Sequence, residues 1–356
     1  MKKLFLLFLF LFSAFMQNIE AKTEIVGYPI FDYSNETGFC IGGIIYMRYQ
    51  PKNFDEDVQE NSIYLSTIYS EKKQFSIYFE PILYLQNGRY AFSFPVEFIN
   101  WPSKFYGIGN NTSKENVEDF TPQQLNIQFD LKRMISQYWS ISLHYEFNKY
   151  NILKVEEDGL LKTGNIKGSD DNLISGIGFS VSMDQRDSNS YPKNGCLHCF
   201  KMLSFTDILG SEYNFIKYSL DLRQYFSITP KLVLALQGYF SCIQNDPPFH
   251  KLSYLNNYMR ATTPNLFIDR HMAIFRSEYR FFPWETKILE RIGFVGFMEV
   301  GQVAHELSEF AGKAMKFNYG FGLRYSFLMD DRFNLRIDLG FGGESGALSI
   351  GCEEVF

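Results

Sequence analysis

The sequence predicts an all-β protein, a 16-stranded antiparallel transmembrane β-barrel with apolar side chains outside and polar ones inside. Three observations carry this prediction. The chain is rich in aromatics, with 3 Trp, 23 Tyr and 37 Phe among 356 residues, yet only 21% of it is charged. Its hydropathy alternates with period two over many segments, the periodicity of strands rather than helices. Its one long apolar run, 4–16, is well short of the roughly 20 residues that a bilayer-spanning helix needs.

The elements follow in order. Lys2 and Lys3, the apolar run 4–16 and a cleavage site at Ile19-Glu20-Ala21 read as a secretory signal peptide over 1–21. Residues 22–356 then form one barrel domain, with only Lys22 and Thr23 ahead of the first strand. Strand-like segments fall near 24–33, 38–50, 60–71, 74–86, 89–99, 122–134, 138–150 and 172–184. Eight more fall near 196–207, 213–226, 231–244, 271–282, 291–302, 316–328, 333–342 and 347–356. An even count is what single-chain outer-membrane barrels have, and most segments reach the ~9–11 residues that a tilted spanning strand requires.

Alternation is clearest late in the chain. Tyr319, Phe321, Leu323, Tyr325 and Phe327 oppose Asn318, Gly320, Gly322 and Arg324, while Leu335, Ile337 and Leu339 oppose Asn334, Arg336 and Asp338. Large aromatics set against repeated charges are the inverted pattern of a membrane barrel. Strand parity supplies a further expectation. The long polar gaps 100–121, 151–171, 245–270 and 303–315 fall on the outer side, and the short gaps 86–89, 135–137, 227–230 and 329–332 on the inner side. Two inner gaps, 51–59 and 185–195, are longer than this rule expects.

Composition excludes other classes. A net charge of −6 on an exported chain argues against nucleic acid as a partner. Cys196 and Cys199 have a metal-pair spacing, but in a strand they point to opposite faces, so the five cysteines are read as small apolar fillers. The histidines show no ligand spacing, and no Gly-x-Ser-x-Gly, His-Glu-x-x-His or phosphate loop occurs. No cofactor, no metal and no enzymatic activity are expected.

Several motifs resemble one family in order and spacing. Asp184-Gln185-Arg186-Asp187, followed by Tyr191-Pro192-Lys193-Asn194-Gly195, resembles an Asp-x-Arg-Asp-x4-Pro-x2-Gly pattern. Phe105-Tyr106-Gly107-Ile108-Gly109-Asn110 and Tyr33-Ser34-Asn35-Glu36-Thr37-Gly38 resemble two further elements. The family is the bacterial surface antigen barrel, part of the BamA/TamA outer-membrane assembly and translocation superfamily, here without periplasmic POTRA-type domains. The resemblance implies a sixth external loop that folds into the lumen. Its motif arginine matches Arg260, although Ala261 stands where the family has glycine. Its acid partner on the thirteenth strand matches Glu299, within Phe297-Met298-Glu299-Val300-Gly301.

The expected site therefore comprises the lumenal pair Arg260 and Glu299, lined by Arg276, Glu278, Arg280 and Arg324. Asp184, Arg186, Asp187, Pro192 and Gly195 form a motif at the inner rim. Phe356, on the face of Leu348, Ile350 and Cys352, resembles a C-terminal assembly signal. By resemblance, the chain is an integral outer-membrane barrel that helps insert or translocate polypeptides, using a weak seam between its first and last strands. Its expected partners are outer-membrane lipid, the assembly machinery during biogenesis, and polypeptide substrates. The alternative is a passive or plugged pore, or a surface structural protein.

Overall fold

The computed structural model describes residues 21–34, 37–51, 59–164, 166–286, 289–328, 333–343 and 346–356. Apart from Ala21, the signal-peptide segment lies outside the described residues. So do Asn35 and Glu36 of the 33–38 motif and the turn 329–332.

The described residues form mainly strands, with a few single-turn 3-10 helices in the connections. The first ten are β1 (Ala21–Ser34), β2 (Gly38–Pro51), β3 (Asn61–Ser70), β4 (Phe75–Leu85), β5 (Tyr90–Ser93), β6 (Val96–Asn100), β7 (Ser103–Phe105), β8 (Glu118–Met134), β9 (Trp139–Lys154) and β10 (Asn172–Asp184). Next come β11 (Gly195–Phe205), β12 (Phe215–Thr229), β13 (Leu232–Gln244) and two short strands, β14 (Ser253–Tyr254) and β15 (Ile268–Asp269). The last are β16 (His271–Phe281), β17 (Ile292–Ala304), β18 (Lys316–Leu328), β19 (Phe333–Gly342) and β20 (Gly346–Cys352). Eighteen of them form one antiparallel sheet, and β14 pairs with β15 separately.

The sheet thus contains eighteen segments where sixteen unbroken strands were expected. The difference is local. β5 and β6 both pair with β4, and β5, β6 and β7 all pair with β8. The break between β5 and β6 contains Pro95, which has no N–H to give to a ladder. Its carbonyl still accepts from Gln128 N at 2.9 Å. Among the described residues no ladder joins β1 to β20, although the two strands lie close together.

The two faces of the sheet are inverted relative to a soluble fold. On β18, Tyr319 and Phe321 are more than half exposed, at 53% and 57%, while the alternate residues Asn318 and Arg324 are 3% and 1% exposed. Such an exterior is stable in hydrocarbon and unstable in water. The long connections meet at one end of the sheet and interlock. Gly109 forms a bridge to Ile268, and Asn110 Nδ2 donates to Ala314 O at 2.8 Å. Two apolar clusters anchor the segment 245–270 beneath them. Leu255, Met259 and Leu266 pack with Ile274 and Val303, and Phe249 and Leu252 pack with Phe105, Phe120 and Tyr150.

Candidate functional site in the lumen

Apolar anchors on both sides of Arg260 carry it down into the sheet interior. There it meets three carboxylates from three strands. Arg260 Nε lies 2.6 Å from Glu299 Oε1, and Arg260 Nη1 lies 2.8 Å from Glu278 Oε1 and 3.2 Å from Asp338 Oδ2. The Arg260 main-chain N–H also donates to Glu299 Oε2 at 2.7 Å, and the guanidinium sits 3.4 Å from the Phe297 ring centroid. Only 7% of the Arg260 side chain is exposed. Burial alone would depress its pKa, but Glu278, Glu299 and Asp338 outweigh that effect and hold it above the ordinary arginine value.

Strand parity explains the convergence. Glu278 on β16, Glu299 on β17 and Asp338 on β19 all occupy inward positions, and Glu299 stands opposite Arg276 in the β16–β17 ladder. Ala261 allows the loop to approach the sheet: a Cβ built on Gly340 would lie 3.1 Å from the Ala261 Cβ. The space beside the loop is therefore nearly filled, which suits the small residues at both positions.

The network continues toward the other end of the lumen. Arg280 Nε donates to Glu278 Oε2 at 2.9 Å, and Arg324 Nη1 donates to Asp338 Oδ1 at 2.6 Å. Arg324 Nε donates to Glu354 Oε2 at 2.9 Å, and Arg336 Nη1 donates to Asp338 Oδ2 at 3.2 Å. Arg260, Arg280, Arg324 and Arg336 are thus interleaved with Glu278, Glu299, Asp338 and Glu354. Alternating sign keeps each buried charge beside a counter-charge, so none is left uncompensated. Arg276 stands slightly apart, donating to Gln237 and, at 2.8 Å, to the Tyr258 carbonyl.

All six lumenal residues singled out from the sequence therefore lie inside the sheet, and two acids were missed as partners. Asp338 was visible on the polar face of its strand, but register alone brings it to Arg260. Glu354 follows the last strand in an otherwise apolar-faced segment, and its role depends on where the chain turns.

That turn also corrects the expectation for Phe356. β20 ends at Cys352, and Glu353 adopts a left-handed backbone with φ 61°. Leu348 and Ile350 are exposed on the outer face, whereas Phe356 is 5% exposed and packs with Tyr225 and Ala235 inside. Its ring lies 4.6 Å from the Arg276 guanidinium, and its main-chain oxygen accepts from Arg280 at 2.6 Å. It does not share the face of Leu348 and Ile350.

The rim motif is a folded turn. Arg186 makes a bidentate contact with Asp184, at 2.9 and 2.8 Å, and Asp187 accepts from the main-chain N–H groups of Lys193 and Asn194. Outside the spanning strands, the Arg186 guanidinium stays above its usual pKa: burial opposes its charge, and the Asp184 contact prevails. Pro192 is buried, and Gly195 has φ +96°. Tyr191 packs on Phe282 and Val233, which anchors the turn against β13 and the end of β16.

A third constellation has no counterpart in the linear motifs. Asp130 hydrogen-bonds His144 Nδ1, and His144 Nε2 lies 2.9 Å from Ser180 Oγ. The order resembles an acid–base–nucleophile relay. However, Ser180 is 4% exposed, and its strand is laddered on both sides, to Ser142 and Lys201. Ladder pairing occupies the backbone N–H groups that would have to stabilise an oxyanion. This reads as a buried hydrogen-bond chain between adjacent strands.

Fold and site together define an antiparallel membrane-type barrel whose lumen is occupied by the tethered segment 245–270. Residues 60–341 match the Omp85 superfamily domain, and the chain belongs to that superfamily. Among curated proteins none matches. Among solved structures, the chain is similar to BamA from Haemophilus ducreyi lacking POTRA domains 1-3, at TM-score 0.64 and 9% identity. That match covers 94% of this chain and 70% of the other. CdiB from Acinetobacter baumannii matches at TM-score 0.59 and 12% identity, over 93% of this chain and 65% of that one. CdiB from Escherichia coli matches at TM-score 0.61 and 10% identity, over 92% and 59%. At these identities the likeness is one of fold.

Proposed function

We propose that this chain is an outer-membrane barrel that helps insert or translocate polypeptides. Membership of the Omp85 superfamily supports a protein assembly or translocation role at the level of class. The observation that carries the finer reading is the edge between β1 and β20, which lie close together without a ladder among the described residues. Strand edges in hydrocarbon leave N–H and C=O groups that must find partners. An incoming strand satisfies them by β-augmentation, so the seam is a template for a client chain.

The occupied lumen weighs against an open passive pore. Arg260 and the apolar anchors hold the segment 245–270 inside. The test is reconstitution of the purified barrel into liposomes with a urea-unfolded eight-stranded barrel as client. Faster client folding than in empty liposomes supports the proposal. No acceleration, together with a steady solute-selective conductance in planar bilayers, overturns it in favour of a pore.

A further inference from the structure

A second cavity region lies beside the tethered loop and takes no part in the Arg260 network. It has a volume of about 760 Å³ and is bounded by β4, β6, β8 and β9, by Lys217 of β12 and by the loop residues Phe249–Lys251. This is the size range of small-molecule sites. Its walls mix polar side chains with aromatics, including Trp101, Phe105, Phe120 and Tyr150.

The charges in this region do not balance. Lys201 is paired with Glu146 at 3.0 Å, and Lys104 with Asp119 at 3.0 Å. Lys217 and Lys251 both line the cavity, and among the described residues neither ammonium group makes a hydrogen bond or ion pair. Glu97 is the one carboxylate on the wall; it accepts from Asn126 Nδ2 at 3.0 Å, and with Glu146 it faces three lysines, Lys201, Lys217 and Lys251, so one positive charge remains in excess. His250 adds a further polar atom. Its ring stacks on Tyr150, with centroids 3.9 Å apart, and its Nε2 lies 3.1 Å from Asn148 Oδ1, while its buried Nδ1 has no partner. Burial pushes the loop group Lys251 below the usual lysine pKa, and nearby Glu146 offsets this only in part. An excess of ammonium groups in a partly enclosed space is costly unless a counter-ion joins them.

We propose that this cavity is an anion site that takes a phosphate-bearing ligand between Lys217 and Lys251, with His250 as a third polar contact. Two compact ammonium groups suit the concentrated charge of a phosphate, which Lys binds as a point charge. The ligand can be a free phosphate solute that enters through the external end, or the headgroup of an anionic lipid that reaches the lumen.

Isothermal titration of the detergent-solubilised full chain with inorganic pyrophosphate tests the site. Saturable one-site binding is expected, at least tenfold weaker in Lys251→Gln and in Lys217→Met, and weakened by added sodium chloride. Lys193→Gln, at the opposite end, should bind as the wild type does. Lys251 lies in a loop, so its variant should retain the unheated gel mobility of the folded barrel and serve as the check if Lys217→Met fails to fold. A parallel titration with dihexanoyl phosphatidic acid below its micellar threshold separates the sources. Tighter binding of the lipid assigns a headgroup, and tighter binding of pyrophosphate assigns a solute. Absence of saturable binding by either probe, or equal affinity in folded Lys251→Gln and wild type, overturns the proposal.

Discussion

Arg260 Nη1 lies 3.2 Å from Asp338 Oδ2, which ties the segment 245–270 to β19. β19 is the partner of β20, the strand whose other edge carries no ladder among the described residues. The same carboxylate holds Arg324, which in turn holds Glu354 beyond the end of β20. Loop position and seam are thus linked through one residue.

Asp338→Asn removes a charge that three arginines share: Arg260, Arg324 and Arg336. The asparagine keeps the volume, so the effect isolates electrostatics. A loss of about 1–3 kcal/mol is expected, the range for leaving buried charged groups under-satisfied. Hydrogen exchange should rise first in β19 and β20. Unchanged exchange in these two strands would show that the network does not restrain the seam.

The turn 185–195 depends on Gly195. With φ +96°, a Cβ there would lie 2.0 Å from the Gln185 carbonyl oxygen. Gly210 is the control, with φ +85° and no heavy atom within 4 Å of its built Cβ. Gly210→Ala should cost about 1–2 kcal/mol from backbone conformation alone. Gly195→Ala should cost clearly more, because the turn must also move. Urea unfolding of both variants in lipid vesicles measures the difference, and equal costs would mean that the turn yields freely.

The fold was legible because parity is a local property. Tyr319, Phe321 and Leu323 against Asn318, Gly322 and Arg324 already separate lipid from lumen, whatever the neighbouring strands do. The inward placement of Arg276, Glu278 and Arg280 follows from the same rule. Partnership is different. Asp338 reaches Arg260, and Glu354 reaches Arg324, only because strand register and the turn at Glu353 bring distant heights together. Phe356 was misplaced for the same reason: extrapolating β20 by two-residue steps continues its outer face, but the chain leaves the strand first. The break at Pro95 was also readable from the missing N–H, although the strand-length estimate passed over it.

Topology follows from the clustering of long connections at one end. Asn111 and Asp158 are exposed there, and Asn194 is exposed in the turn at the other end. Single cysteines at these positions, in a background lacking the five native cysteines, should respond differently to an impermeant thiol reagent. Asn111→Cys and Asp158→Cys should label on intact cells, and Asn194→Cys only once the outer membrane is opened. The opposite pattern would reverse the orientation of the barrel.

Arg260 and Glu299 give the most direct test of the lumenal network. Arg260→Ala leaves Glu278, Glu299 and Asp338 close together without the cation that they share. Glu299→Ala removes one of three carboxylates and leaves Arg260 still paired with Glu278 and Asp338. The two losses are therefore unequal: Arg260→Ala should approach the roughly 3–5 kcal/mol of a broken buried pair, and Glu299→Ala should fall below it. In the double variant one of the orphaned carboxylates is also gone, so the total should be smaller than the sum of the single effects. Glu299→Asp keeps the charge but shortens its reach, and should be milder than Glu299→Ala. Unfolding free energies for the three variants and the double variant in vesicles close the cycle. Strict additivity, or equal single effects, would mean that Arg260 is held by its apolar neighbours Leu255, Met259 and Leu266 rather than by its charge.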